Sequence, residues 1–125
     1  MKTCESTENY LKTILILQHQ LGQVRSIDVA KALNVSKPSV SNAVKKLRNE
    51  QLVEVDACRH LILTAKGYQY ASSVFERHLI IERFLTDVLS VDEKTAHNDS
   101  CRLEHLVSSE TFLQIRKAYE QSKNE

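Results

Sequence analysis

The chain has 125 residues, 42% of them hydrophobic and 26% charged, with a formal net charge of +1. That length holds one ordinary domain, or one domain with an appendage, and the composition excludes wholesale disorder and any need for disulfides or a metal merely to fold. Two glycines, one proline and no tryptophan exclude a turn-rich sandwich or barrel. No apolar run approaches the roughly 18 residues of a membrane span. No signal peptide opens the chain, and Cys4, Cys58 and Cys101 fit a reduced cytoplasmic protein better than a disulfide scaffold.

In chain order, the first periodic segment runs from about Ser6 to Leu21, with Leu11, Ile14, Leu15 and Leu21 at helical spacing and Gly22 where a C-terminal cap belongs. A short helix follows Ser26 as N-cap, with Ile27, Ala30 and Leu33 on one side, and Asn34-Val35 makes a turn. The third helix starts at the cap Ser36. Pro38 falls in the first turn, where its missing amide costs nothing, and Val35 and Val40 form a hydrophobic staple. Val40, Ala43, Val44 and Leu47 form its buried stripe. The other side carries Lys37, Ser39, Ser41, Asn42, Lys45, Lys46 and Arg48.

Two short β-type runs come next, Leu52 to Val55 and Leu61 to Leu63, joined by a turn with Cys58, Arg59 and His60. Three helices followed by a β-hairpin is the winged helix-turn-helix plan. A long helix then runs from near Thr64 to about Leu89, with Ala71, Val74, Phe75, Ile81, Leu85, Val88 and Leu89 as its apolar stripe. Two further helices, Asp92 to Val107 and Ser109 to Gln121, complete a helical region suited to a dimer interface. The fold class is therefore mainly α: a winged helix-turn-helix DNA-binding domain over residues 1–64, then a helical metal-binding and dimerisation region over 65–125.

Charge agrees with this plan. Residues 23–48 carry a net +5 and residues 49–125 a net −4, so an anionic partner belongs to the first part. With the third helix in a major groove, Ser39 and Asn42 are short enough for base edges and Pro38 for a thymine methyl, with Ser36 and Ser41 further candidates for contact with DNA. Lys37, Lys45, Lys46 and Arg48 suit phosphates, and Arg59 in the wing suits phosphate or a narrow minor groove.

Polar groups on an apolar face mark a second chemistry. His78 and Glu82 lie four apart on the stripe of the long helix, so they either pair with each other or share a cation. Further on, with about 100° per residue, His97, Cys101, Glu104 and His105 fall within an arc of roughly 100° on one helix face. A thiolate, a carboxylate and two imidazoles suit a divalent transition metal. Each residue taken singly also has an ordinary structural reading as a salt bridge or core cysteine. Catalysis by Cys101 with His105 lacks a Gly-rich loop and an oxyanion hole, so the chain is not read as an enzyme.

These residues resemble the diphtheria-toxin-repressor and manganese-repressor family of metal-dependent transcriptional regulators. The likeness covers nearly the whole chain: Glu8 to Ile14, Val35 to Leu47, Leu63-Thr64-Ala65-Lys66-Gly67, Arg77-His78 through Glu82-Arg83-Phe84-Leu85, and Cys101-Arg102-Leu103-Glu104-His105. The resemblance implies a recognition helix over the third helix and metal and dimer contacts after the wing. It implies a primary metal site of Asn9, Cys101, Glu104 and His105, and an ancillary site of His78, Glu82 and His97. It also implies that metal tightens DNA binding and represses metal-uptake genes; a homodimer on a palindromic operator is expected, with metal fixing the angle between its two reading heads as the linkage hypothesis. Asn9 stands where the iron type has Met and the manganese type Asp, and Lys12 where the manganese type has Glu. Lys12 opposes a second cation there, and Cys101 favours ions softer than manganese. The short chain, with no further C-terminal domain, looks like the manganese type. Ferrous iron is the first expectation for the effector, with manganese open. The other reading is a metal-independent winged-helix regulator answering to a small ligand, redox state or a protein partner, with His78, Glu82, His97 and Glu104 as a buried ion-pair network.

Overall fold

The computed structural model describes residues 7–124; Cys4 lies outside them. The elements run α1 (Thr7–Leu21), α2 (Ser26–Leu33), α3 (Lys37–Asn49), β1 (Val53–Val55), β2 (Leu61–Leu63), α4 (Ala65–Arg83), α5 (Glu93–Leu106) and α6 (Ser109–Lys123), with a π-helical turn over Phe84–Val88 after α4. Among the described residues the chain is mainly helical, with one two-stranded sheet. The chain divides into two compact units between Ser73 and Val74, inside α4.

In the first unit α1 packs against α2 and α3, and α3 against β1. Tyr10, Leu11, Ile14, Val29, Val40, Leu47, Leu52 and Val53 form its core. Burial along α1 is continuous from Asn9 to Leu15 and fades after Leu17. Leu21, expected on the apolar stripe, is 55% exposed, because the helix outruns the core by its last turn. Gly22 closes α1 with φ 82, its N–H donating to the Gln18 carbonyl.

The start of α2 differs from expectation. Arg25, not Ser26, occupies the N-cap, and its N–H donates to the Asp28 carboxylate at 2.9 Å. An acidic side chain three residues into the helix reaches back to the cap amide, so no capping hydroxyl is needed. Ala30 is buried as expected, together with Val29, whereas Ile27 is 45% exposed. Asn34 ends α2 in the left-handed region, φ 54, where a short amide side chain is tolerated.

The start of α3 follows the sequence signals. Ser36 Oγ accepts the Ser39 N–H at 3.2 Å, and Val40, Ala43, Val44 and Leu47 are the buried face. The hairpin pairs Val53 with Leu63 and Val55 with Leu61, one residue shorter at its start than expected. A single bridge from Val24 to Leu61 adds a third extended segment. Thr64 joins the hairpin to α4: its hydroxyl donates to the Gln51 carbonyl at 2.7 Å and accepts the Gly67 N–H at 2.9 Å.

The second unit holds the rest of α4, the π turn, α5 and α6; α6 and α5 both pack against the π turn. Val74, Ile81, Ala96 and Tyr119 are its buried apolar residues. The long helix expected to reach Leu89 stops being α-helical at Arg83. The Leu89 N–H bonds the Phe84 carbonyl, five residues back, and Ser90 turns the chain at φ 59. One extra residue in that turn rotates everything beyond it off the stripe, so Val88 and Leu89 are exposed. Arg77 donates to the Val107 carbonyl, and its guanidinium lies 5.1 Å from the Phe112 ring centre, with Arg116 at 5.3 Å from the same ring.

Candidate DNA interface and metal centre

The polar side of α3 is open. Ser36, Lys37, Pro38, Ser41, Asn42, Lys45, Lys46 and Arg48 are exposed, and Ser39 is half-buried, its hydroxyl paired with that of Ser36 at 2.9 Å. The helix is held from behind by its buried stripe, so a rigid scaffold presents this face.

The wing is a closed turn. Asp56 N–H bonds the His60 carbonyl, Arg59 N–H the Asp56 carbonyl, and the Asp56 carboxylate takes the His60 N–H at 2.8 Å and faces its Nδ1 at 3.0 Å. The main-chain amide of His60, then its side chain, hold the Asp56 carboxyl below its ordinary value of 3.8 against the effect of burial. Arg59 sits exposed at φ 66. An open groove of about 340 Å³ separates wing from α3, lined by Ser26, Ser41, Lys45, Arg48 and Arg59 among others. Three cations, Lys45, Arg48 and Arg59, flank it, a charge distribution suited to an anionic backbone. Ser26 was not among the residues singled out for contact with DNA, since its sequence neighbours place it only at a helix start.

In the second unit three predicted donors converge. The ligand atoms of His78, Glu82 and His97 all lie within 4.8 Å of one another. His78 Nε2 is 2.8 Å from Glu82 Oε1, and His97 Nδ1 is 3.2 Å from the same oxygen. The two imidazoles meet edge to face, ring centres 5.1 Å apart. With ligand bonds of about 2.0–2.2 Å, neighbouring donors around a transition metal stand roughly 3.0–3.5 Å apart. The two spacings to Glu82 Oε1 are close to that and the third pair lies within 4.8 Å, so two imidazoles and a carboxylate here have the chemistry and the proximity to hold a divalent ion. His78 is buried, Glu82 half-buried and His97 exposed, which leaves one side open to entry.

The other predicted donors are placed differently. Glu104 is 1% exposed and stands 3.2 Å from His78 Nδ1 through Oε2 and 3.3 Å from His105 Nε2 through Oε1. Cys101 and His105 are half-buried on the same helix. His97, which helical phase alone groups with Cys101, Glu104 and His105, lies with His78 and Glu82, the grouping that the family resemblance implies: its exposed ring reaches Glu82 on α4. Asn9 belongs to the first unit, where it is buried on α1, as is Lys12. The residue that sequence reasoning missed is Ser100, which is wholly buried with its hydroxyl 3.2 Å from His78 Nδ1. Its place three residues after His97 was the available signal.

A winged-helix unit with a basic exposed helix and a cluster of metal-ligating residue types thus occupy one chain. Residues 2–61 match the model of the iron-dependent repressor N-terminal DNA-binding domain. Residues 64–124 match that of the iron-dependent repressor metal-binding and dimerisation domain. The chain is 38% identical over 112 residues to the transcriptional regulator MntR of Escherichia coli O157:H7, covering 90% of this chain and 72% of that one. It is 34% identical over 113 residues to the diphtheria toxin repressor of Corynebacterium jeikeium, covering 90% of this chain and 47% of that one. The solved structure of the manganese regulator SloR superposes with a TM-score of 0.82 at 35% identity, over 92% of this chain and 54% of that one. The chain spans about half the length of the diphtheria toxin repressor it matches. It belongs to the iron-dependent repressor family of metal-dependent, DNA-binding transcriptional regulators.

Proposed function

We propose that the chain is a metal-activated repressor that binds a palindromic operator as a homodimer, with ferrous iron as effector ahead of manganese. The observation that carries the reading is the convergence of His78 Nε2, Glu82 Oε1 and His97 Nδ1 in a chain whose other unit exposes a basic recognition helix. His78, Glu82 and His97 hold one ion. Cys101, Glu104 and His105 supply a thiolate, a carboxylate and an imidazole for another, and the thiolate favours iron over manganese. A bound ion supplies a fixed positive charge that gathers side chains of α4 and α5. Ser36, Lys37, Pro38, Ser39, Ser41, Asn42, Lys45, Lys46 and Arg59 contact DNA, the short side chains at bases and the long cations at phosphates. Exposed Leu89, Leu106 and Leu113 supply apolar area for a second copy. Metal promotes repression to the extent that it binds the DNA-competent state more tightly than the other.

The test is DNA binding by the full chain to the region upstream of its own gene. It is run oxygen-free at fixed salt, with chelator and then with Fe²⁺ or Mn²⁺. Tight binding with metal alone is expected, and the double variant Glu82→Ala, His97→Ala should need higher metal for the same occupancy. Equal binding in chelator overturns the reading. It favours instead a metal-independent regulator in which His78, Glu82, His97 and Glu104 are an ion-pair network.

A further inference from the structure

An open cleft of about 290 Å³ lies within the first unit, between the start of α1, the segment that leaves α3 and the first turns of α4. None of the residues assigned to DNA or to metal lines it. Its floor is apolar: Leu11 and Leu52 line it and are 1% and 3% exposed. Its rim is polar, with Glu8, Glu50, Lys66 and Tyr70. A concave site with an apolar floor and a few convergent polar groups is the form of a small-molecule pocket, and this volume is near the lower limit of roughly 300 Å³. The occupant is therefore small.

The polar groups define its chemistry. A phenol has one proton, and that of Tyr70 goes to Glu8 Oε2 at 2.8 Å. The Tyr70 oxygen is left to accept. The charges of Glu8 and Glu50 both bear on this phenol, so two carboxylates and a hydroxyl oxygen make one region of acceptors. Lys66 has three N–H groups. It donates to the main-chain carbonyl of Glu50 at 3.3 Å rather than to the carboxylate, which leaves its other N–H groups for an anion. A bare metal ion makes no use of the floor and is opposed by Lys66. A simple anion meets two carboxylates. A zwitterion with an apolar body satisfies every part of the lining. We propose that this cleft binds a small α-amino acid with an apolar side chain. Its ammonium sits among Glu8, Glu50 and the Tyr70 hydroxyl oxygen, its carboxylate at Lys66, and its side chain on Leu11 and Leu52. The site is separate from the metal cluster and does not depend on it.

The test titrates the full ¹⁵N-labelled chain with L-leucine, with isopentylamine, which lacks the carboxylate, and with isocaproate, which lacks the ammonium. Metal is removed beforehand, since an α-amino acid would itself coordinate it. ¹H–¹⁵N spectra locate the site and give Kd. Leucine should move the amides of Leu11, Leu52, Lys66 and Tyr70 with a Kd of about 1 mM or tighter. Isopentylamine should bind about threefold to fivefold more weakly, the size expected for an exposed ion pair, and isocaproate should leave these amides in place. Lys66→Met keeps the apolar stem and should bring leucine down to the level of isopentylamine. Glu50→Gln should weaken both by a similar factor. Both side chains are exposed, so neither variant threatens the fold. Amides that stay in place with leucine, or that move only elsewhere, overturn the proposal. So does isopentylamine or isocaproate binding as tightly as leucine, because one end of the zwitterion is then unread.

Discussion

Tyr70 on α4 donates a hydrogen bond to Glu8 on α1 at 2.8 Å. That bond, then burial, then the charges of Glu8 and Glu50, push the phenol up to about 12. A raised value favours the neutral phenol in the folded chain, so its contribution is complete below the ordinary value of 10.0 and is lost between 10 and about 12. Absorbance titration of the tyrosines should include a component ionising near 12, and Glu8→Ala should move that component toward lower pH. A late phenol that persists in Glu8→Ala would assign the shift to another residue. At this scale the sequence was informative where chemistry repeats at helical spacing. His78 and Glu82, four apart, were visible as a pair, and they meet at 2.8 Å. Tyr70 with Glu8, 62 residues apart, carried no such signal, and neither did the hydroxyl of Ser100, whose contact is with a ring from another helix.

Elements were legible where caps and stripes agree. The start and buried face of α3 follow from Ser36, Pro38 and a four-residue apolar stripe, all local. The join between hairpin and α4 is not local. A Cβ on Gly67 would lie 1.8 Å from the Leu52 carbonyl oxygen and 2.8 Å from its carbon. Here glycine is required by close approach of backbone. Gly67→Ala should destabilise the chain by about 1–3 kcal/mol, the usual cost of overpacking, read as a lower urea midpoint. An unchanged midpoint would mean that α4 shifts freely against Leu52. The π turn at Phe84–Val88 was hidden for a different reason. Its sequence has no glycine or proline, and the pattern of Leu85, Val88 and Leu89 continues the α-helical stripe. Packing of α5 and α6 against that segment, rather than local propensity, accompanies the widened turn.

For the whole molecule, the division of labour is electrostatic. The basic stretch over residues 23–48 becomes an exposed face of α3 and, with Arg59, a flanked groove. Lys45→Ala should weaken binding to every DNA sequence alike and lower the slope of log affinity against log salt by about one unit. Asn42→Ala should instead relax discrimination at particular bases while leaving the salt slope in place. Equal loss on all sequences for Asn42→Ala would remove it from base reading. Binding titrations on operator and scrambled DNA at several salt concentrations separate the two outcomes.

The amino-acid pattern by itself determined the order of elements, the recognition helix with its cap and polar face, the hairpin wing, and the residue types capable of ligating a metal. These depend on periodicity, capping and charge within a dozen residues, and so are written locally. Tertiary structure decided which donors meet. Helical phase placed His97 with Cys101, Glu104 and His105, but its exposed ring crosses to Glu82 on α4. Glu104 turns inward, beside His78 as well as His105, and Ser100 lies buried against His78. A helical wheel sorts residues around one axis. The spacing and rotation of two packed helices settle which wheels touch, and those are set by side chains spread along both.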